Sequence, residues 1–253
     1  MAVMEWWEVA VIALAGLWAG LINTVVGSGT LVTFPVLVAL GFPPVTATTS
    51  NAVGLITGSI TGAVGYRAEL AGHGRRLARY AVASLLGAIV GAALLLTLPP
   101  DAFESIVPVL VGLSVVLVAV QPLIARRLRN RERPDRTSSP LVYLAVFLIG
   151  IYGGYFTAAQ GIMLVGVLGL LVADPLQRLN AFKNALSSVV NLVAGIIYAV
   201  VAPVDWAVIG IIAASSIVGG LLGARIGRRL PPTVLRGIIV VIGVTAIVFL
   251  LLE

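Results

Sequence analysis

The 253-residue chain has no cysteine, one histidine (His73) and one lysine (Lys183). Without thiols there are no disulfides, thiolate metal sites or cysteine nucleophiles. A lone histidine excludes a histidine metal pair, a Ser-His arrangement and the H-E-x-x-H pattern. Gly27-Ser28-Gly29 has no base beside it and is no nucleophile elbow, and no glycine-rich stretch leads into a lysine as in a P-loop. Charge is scarce as well: 10% of residues are Asp, Glu, Lys or Arg, against about 25% in a soluble domain. These deficits point away from an enzyme, lead us to expect no cofactor and no metal, and exclude an ordinary water-soluble globule.

What the chain has instead is apolar surface. Hydrophobic residues make up 60% of it, in runs spread from end to end, so the solvent for most side chains is lipid. The 28 glycines suit close helix packing and interrupted helices in a bilayer. The net charge of +6 would suggest nucleic acid in a soluble protein. Here the basic residues sit in short loops between apolar runs, where they set membrane orientation, and no nucleic-acid partner is expected. Glu5 and Glu8 precede the first run and no A-x-A site follows it, so no removable signal peptide is expected.

Ten apolar segments can be drawn, at 8–26, 30–41, 44–66, 79–98, 102–124, 140–159, 161–173, 179–202, 204–223 and 233–252. Most approach the roughly 20 residues needed to cross a bilayer. The second and seventh, with about twelve, are too short at 1.5 Å per residue and are expected to form hairpins with the segment before them. With the N-terminus outside, Arg67, Arg75, Arg76, Arg79, the run Arg126 to Arg136, Arg178, Lys183, Arg225, Arg228, Arg229 and Arg236 all fall on the cytoplasmic side. Glu5, Glu8, Asp101, Glu104, Asp205 and Glu253 are left outside. The expectation is a multi-pass protein of the cytoplasmic (inner) membrane with both termini outside.

A shift of 132 to 133 positions lays Gly29 on Gly161, Pro43 on Pro175, Asn51 on Asn184, Gly62 on Gly195, Gly87 on Gly220 and Pro99 on Pro232. Each half has its short segment in second place. The expected domains are therefore a first repeat at 1–125, an Arg-rich cytoplasmic linker at 126–139 and a second repeat at 140–253. Five segments per half is an odd number, so the repeats are inverted. Inverted repeats with interrupted helices mark secondary transporters, whose substrate binds at the repeat interface.

Polar residues gather at the interruptions. The first half breaks at Asn23, Gly27, Ser28, Gly29 and Thr30, and the second at Thr157, Gln160 and Gly161. Glycine lets the backbone turn and a ligand approach, Ser, Thr and Gln supply neutral donors, and the helix starting after each break aims free N–H groups back at it, which suits an anion. The same glycines could serve packing alone. Thr48, Asn51, Asn184 and Asn191 lie in the third and eighth segments and should face the protein interior. Lys183 has no carboxylate near it in sequence except Asp174. It either offers charge to an anion or reaches to the membrane interface. No acidic residue occupies the middle of a segment, which argues against a carboxylate proton relay.

At Gly20-Leu-Ile-Asn-Thr-Val-Val-Gly27-Ser-Gly29-Thr-Leu-Val-Thr-Phe-Pro35, at Gly41-Phe-Pro-Pro-Val-Thr-Ala-Thr-Thr-Ser-Asn51, and in the repeat of that arrangement, the chain resembles the sulfite exporter TauE/SafE family of membrane transporters. The second half carries Ala159-Gln160-Gly161 where the first has Gly27-Ser28-Gly29. The resemblance implies movement of a small sulfur-containing or organic anion across the cytoplasmic membrane, usually outward. The partners so expected are that anion and membrane lipid, with the oligomeric state open. The competing reading is an accessory membrane subunit or an intramembrane enzyme without transport activity.

Overall fold

The computed structural model describes residues 4–129 and 136–226, with single helical positions at 237, 240, 241, 244 and 245. Among these residues the order is α1 (Trp6–Val25), α2 (Thr30–Ala39), α3 (Pro44–Gly65), a 3-10 turn (Arg67–Leu70), α4 (Gly74–Thr97), α5 (Pro100–Arg129), α6 (Pro140–Tyr155), α7 (Gln160–Leu171), α8 (Leu176–Val201) and α9 (Trp206–Ile226). The expected segment at 233–252 lies outside the described residues apart from the single positions, as do Arg131 and Arg133 of the linker and Arg228, Arg229 and Arg236.

Three helices depart from the expected limits by more than three residues. α4 starts at Gly74 rather than 79, because Arg75, Arg76 and Arg79 continue the helix past its apolar part. α5 likewise runs to Arg129, so the boundary expected at 125 falls inside a helix. α6 stops at Tyr155 rather than 159, because the chain turns at Thr157, whose φ is 60°.

Among the described residues five helices are long and apolar enough to cross a membrane: α1, α4, α5, α8 and α9. α2, α6 and α7 have 10, 16 and 12 residues, short of the roughly 20 needed. α3 has 22 residues, but its Thr, Ser and Asn side chains dilute its apolar character. Leu14, Leu86, Val109, Leu148 and Val200 are exposed on outer faces, whereas Thr48, Asn51, Gln160, Lys183 and Asn191 are buried. That pattern, apolar outside and polar within, is the reverse of a soluble protein and fits a lipid surround.

Helices from the two halves exchange neighbours. α9 packs along α1 and α3, α4 packs along α6 and α8, and α3 lies beside α8. Both long seams are lined with glycine at four-residue spacing. Gly16 and Gly20 of α1 face the backbone of α9, whose Gly219 and Gly223 face Leu17 and Leu21. On the other seam Gly87 and Gly91 of α4 meet the α6 backbone at Gly150 and Ile151. In lipid, where burial supplies little drive, such close backbone approach is what holds helices together.

Candidate functional site

α1 ends at Val25 and α2 starts at Thr30; α6 ends at Tyr155 and α7 starts at Gln160. The turn after α1 touches the start of α7. The Gly161 N–H donates to the Gly27 carbonyl at 3.2 Å. Gly27 has φ 94°, and a Cβ there would fall 2.6 Å from the Gly161 Cα. Backbone conformation and space thus both require glycine at this position.

The last carbonyls of a helix have no donor within it. At the end of α1 the donors come from α8: Lys183 Nζ donates to the Asn23 carbonyl at 3.1 Å and to the Thr24 carbonyl at 2.8 Å. Asn184 Nδ2 adds a bond to the Thr24 carbonyl at 3.3 Å. A cation at a helix C-terminus is favourably placed against the macrodipole. Lys183 is 0% exposed, which removes the alternative that it reaches to the membrane interface. Its four-carbon stem runs between the two turns, the Cδ lying close to Gly27 and Gly161. The end of α6 is capped differently. Tyr198, also of α8, donates its hydroxyl to the Gly154 carbonyl, and Thr157 Oγ1 donates to the Gly153 carbonyl at 2.7 Å.

Next to the Asn23 and Thr24 carbonyls that Lys183 holds lies a narrow cleft, open at its mouth and lined by Asn23, Thr24, Ser59, Asn184 and Ser187, with room for about one water molecule. Ser59 is held in place by Asn191, whose Nδ2 donates to Ser59 Oγ at 2.6 Å, and by Ser188, whose hydroxyl donates to the Ser59 carbonyl at 2.7 Å. Ser59 escaped the sequence reading because a serine in a helix usually bonds back within its own helix, and nothing local marks one that faces a cleft.

The other expected residues divide into two groups. Thr48 and Asn51 are buried in α3, and Asn51 is engaged with α2: its Nδ2 donates to Thr30 Oγ1 at 3.1 Å, and its Oδ1 accepts from the Thr33 hydroxyl. Asn51 and Asn184, matched in sequence, therefore serve different neighbours. Ser28 and Gln160 are buried, and among the described residues Ser28 Oγ and both polar atoms of the Gln160 side chain have no partner. Gly29 is the N-cap residue just before α2, and its N–H lies 3.5 Å from Asn23 Oδ1.

A second polar group ties α4 to the start of α8. Asp174, 6% exposed, receives Arg76 at one oxygen and Arg178 at the other, the latter at 2.9 Å. The Arg76 guanidinium also lies over the Phe182 ring, 4.3 Å from its centroid. Among the described residues no group of three or more His, Asp or Glu side chains is arranged to hold a metal.

Two interrupted helices meeting turn to turn around a buried amine, in a helical bundle with apolar outer faces, have the build of a membrane transporter. The chain belongs to the sulfite exporter TauE/SafE family, whose pattern it matches over residues 12–250. It is 27% identical over 214 residues to the probable membrane transporter protein YfcA of Escherichia coli (strain K12), covering 84% of this chain and 76% of that protein. It is 24% identical over 233 residues to a probable membrane transporter protein of Haemophilus influenzae, covering 92% and 90%. Over 248 residues it is 22% identical to the probable membrane transporter protein ORF9 of Sinorhizobium sp, covering 96% and 92%.

Proposed function

We propose that this membrane transporter is a secondary carrier that moves a small sulfur-containing or organic anion, sulfite-like in size and charge, outward across the cytoplasmic membrane. The observation that carries the reading is the buried Lys183 amine at the junction of the two turns, next to a cleft of neutral polar groups. An amine there, with the Asn184 amide and the Ser187 hydroxyl nearby, supplies donors for an oxyanion. The unpartnered Ser28 and Gln160 side chains, at the starts of α2 and α7, extend the donor set, because free N–H groups at a helix start favour negative charge.

The same reading takes the halves as inverted repeats divided by the Arg-rich linker. The exchanged packing supports it: the 132 to 133 shift carries α1 to α6, α3 to α8 and α4 to α9. The α1–α9 and α3–α9 contacts thereby become α6–α4 and α8–α4, which are the other pairs observed. The orientation with both termini outside rests on the arginines, and the contacts agree with the alternation of the helices that it assumes. Arg76 meets Asp174 on the cytoplasmic side, while Thr49 Oγ1 donates to the Pro203 carbonyl at 2.6 Å on the outer side. In that frame the cleft lies near the end of α3 and the start of α8, toward the cytoplasm, where an exporter loads.

Purified protein in liposomes tests the reading. Protein-dependent efflux of sulfite, thiosulfate or sulfoacetate is expected, together with thermal stabilisation by the transported anion, since a ligand of the folded state stabilises by mass action. No protein-dependent flux of any of them would leave an accessory membrane subunit as the better description.

A further inference from the structure

We infer that Lys183 carries the coupling proton: its amine takes up a proton when the anion binds and gives it back when the anion leaves, so that the two cross together. This rests on the reading of Lys183 as part of the anion site.

The argument begins with donor arithmetic. A protonated lysine has three N–H donors and a neutral one has two. Lys183 makes two hydrogen bonds, to the Asn23 and Thr24 carbonyls. The neutral amine therefore satisfies both carbonyls, and the end of α1 stays capped in either protonation state. The third proton has no acceptor among the described residues. Nζ is held by the carbonyls of Asn23 and Thr24, two residues that line the cleft, so on this proposal the proton goes to an anion entering there and is released when the cleft is empty. Desolvating an ammonium is costly unless a counter-charge is at hand, and Lys183 makes no ion pair among the described residues. An arriving anion supplies the missing counter-charge, so anion and proton favour each other's binding at one atom.

The surroundings leave this role to Lys183. α1 presents only the two carbonyls, Glu5 and Glu8 standing at its opposite end, and α3 and α7 carry no titratable side chain. The 3-10 turn brings Arg67 and Glu69, α4 brings Arg76 and Tyr80, and α6 brings Tyr152 and Tyr155, none of them bonded to Lys183. Asp174, in the connection between α7 and α8, is engaged by Arg76 and Arg178. Transporters with broken helices hold coupling cations on the C-terminal carbonyls of half-helices. In this protein that place, at the end of α1, is filled by a covalently attached amine, which leaves a proton as the ion to be loaded and unloaded. The balance is simple: one proton from water joins the Nζ lone pair as one anion enters, and both are released on the far side.

The test is proton uptake on anion binding, measured by calorimetry on the intact purified protein in buffers of differing ionisation enthalpy, across neutral to alkaline pH. The probes are thiosulfate and sulfoacetate, which carry no titrating proton of their own in that range. The expected result is uptake approaching one proton per anion at alkaline pH, with affinity falling about tenfold per pH unit there, while Lys183→Met takes up none. For Lys183→Arg, always charged, any residual binding is expected to be proton-free. Binding to the wild type without proton uptake at any pH overturns the coupling and spares the anion site. Uptake that persists in Lys183→Met also overturns it. Failure of the wild type to bind either probe counts against the anion site and the coupling together. Should both variants fail to fold, the wild-type stoichiometry alone decides.

Discussion

Gly27 and Gly161, from opposite halves of the chain, touch backbone to backbone, the N–H of one donating to the carbonyl of the other at 3.2 Å. The contact joins the turn after α1 to the start of α7, so neither side tolerates a side chain. Gly161→Ala would press a methyl against the Gly27 Cα, an overpacking cost of about 1–3 kcal/mol. Gly27→Ala would add about 1–2 kcal/mol for a left-handed backbone. Both variants should melt earlier than the wild type in detergent, with Gly27→Ala the lower. Melting temperatures that match the wild type would mean that the two turns do not pack as described.

Lys183→Met keeps most of the stem and removes the amine. Asn184 still donates to the Thr24 carbonyl, so the protein should fold with a modest loss of stability. Anion affinity should fall by roughly 10- to 150-fold, the equivalent of about 1.5–3 kcal/mol for a hydrogen bond to a charged group. Unchanged affinity in a calorimetric titration would reduce Lys183 to a cap for α1.

Gln160 permits a cleaner separation of fold from function. Its side chain is buried with no partner for either polar atom, so an apolar replacement relieves a desolvation cost instead of breaking a bond. Gln160→Leu should be as stable as the wild type or more so, yet bind the anion about 2- to 12-fold more weakly, reflecting one lost hydrogen bond of roughly 0.5–1.5 kcal/mol. A clear drop in melting temperature would reveal a structural role in place of a binding one.

Asp174 joins α4 to α8 through Arg76 and Arg178. Because both arginines are partly exposed, solvent screening limits the expected cost of Asp174→Asn to roughly 1–3 kcal/mol. Double-mutant analysis with Arg76→Gln should show a coupling energy different from zero. Strict additivity would dismiss the pair as incidental.

The absence of native cysteine makes orientation easy to measure. Single cysteines at positions 75 and 131 should resist an impermeant thiol reagent in intact cells, and one at position 104 should react. The reverse pattern would invert the topology assigned from the arginines.

The class of protein was written in the sequence, because membrane insertion depends on local hydrophobicity and charge. Apolar runs gave the helices to within a few residues, and the short second and seventh segments emerged as α2 and α7. Glycine and neutral polar residues marked both interruptions. Where polar groups overrode the apolar pattern the reading slipped: arginines lengthened α4 and α5 beyond their apolar parts, and the turn at Thr157 ended α6 early.

What the sequence left open was pairing. Lys183 could equally have reached to the interface, and only the packing of α8 against the end of α1 brings it to the Asn23 and Thr24 carbonyls. Asn51 and Asn184 match in sequence, yet one bonds α2 and the other caps α1. Ser59 and the pairing of Asp174 with Arg76, on a distant helix, gave no local signal. The physical reason is range: apolar character sums over about 20 neighbouring residues and survives small errors, whereas a hydrogen bond forms or fails within a few tenths of an ångström. Its partner stands on another helix, and only the tertiary packing decides which one.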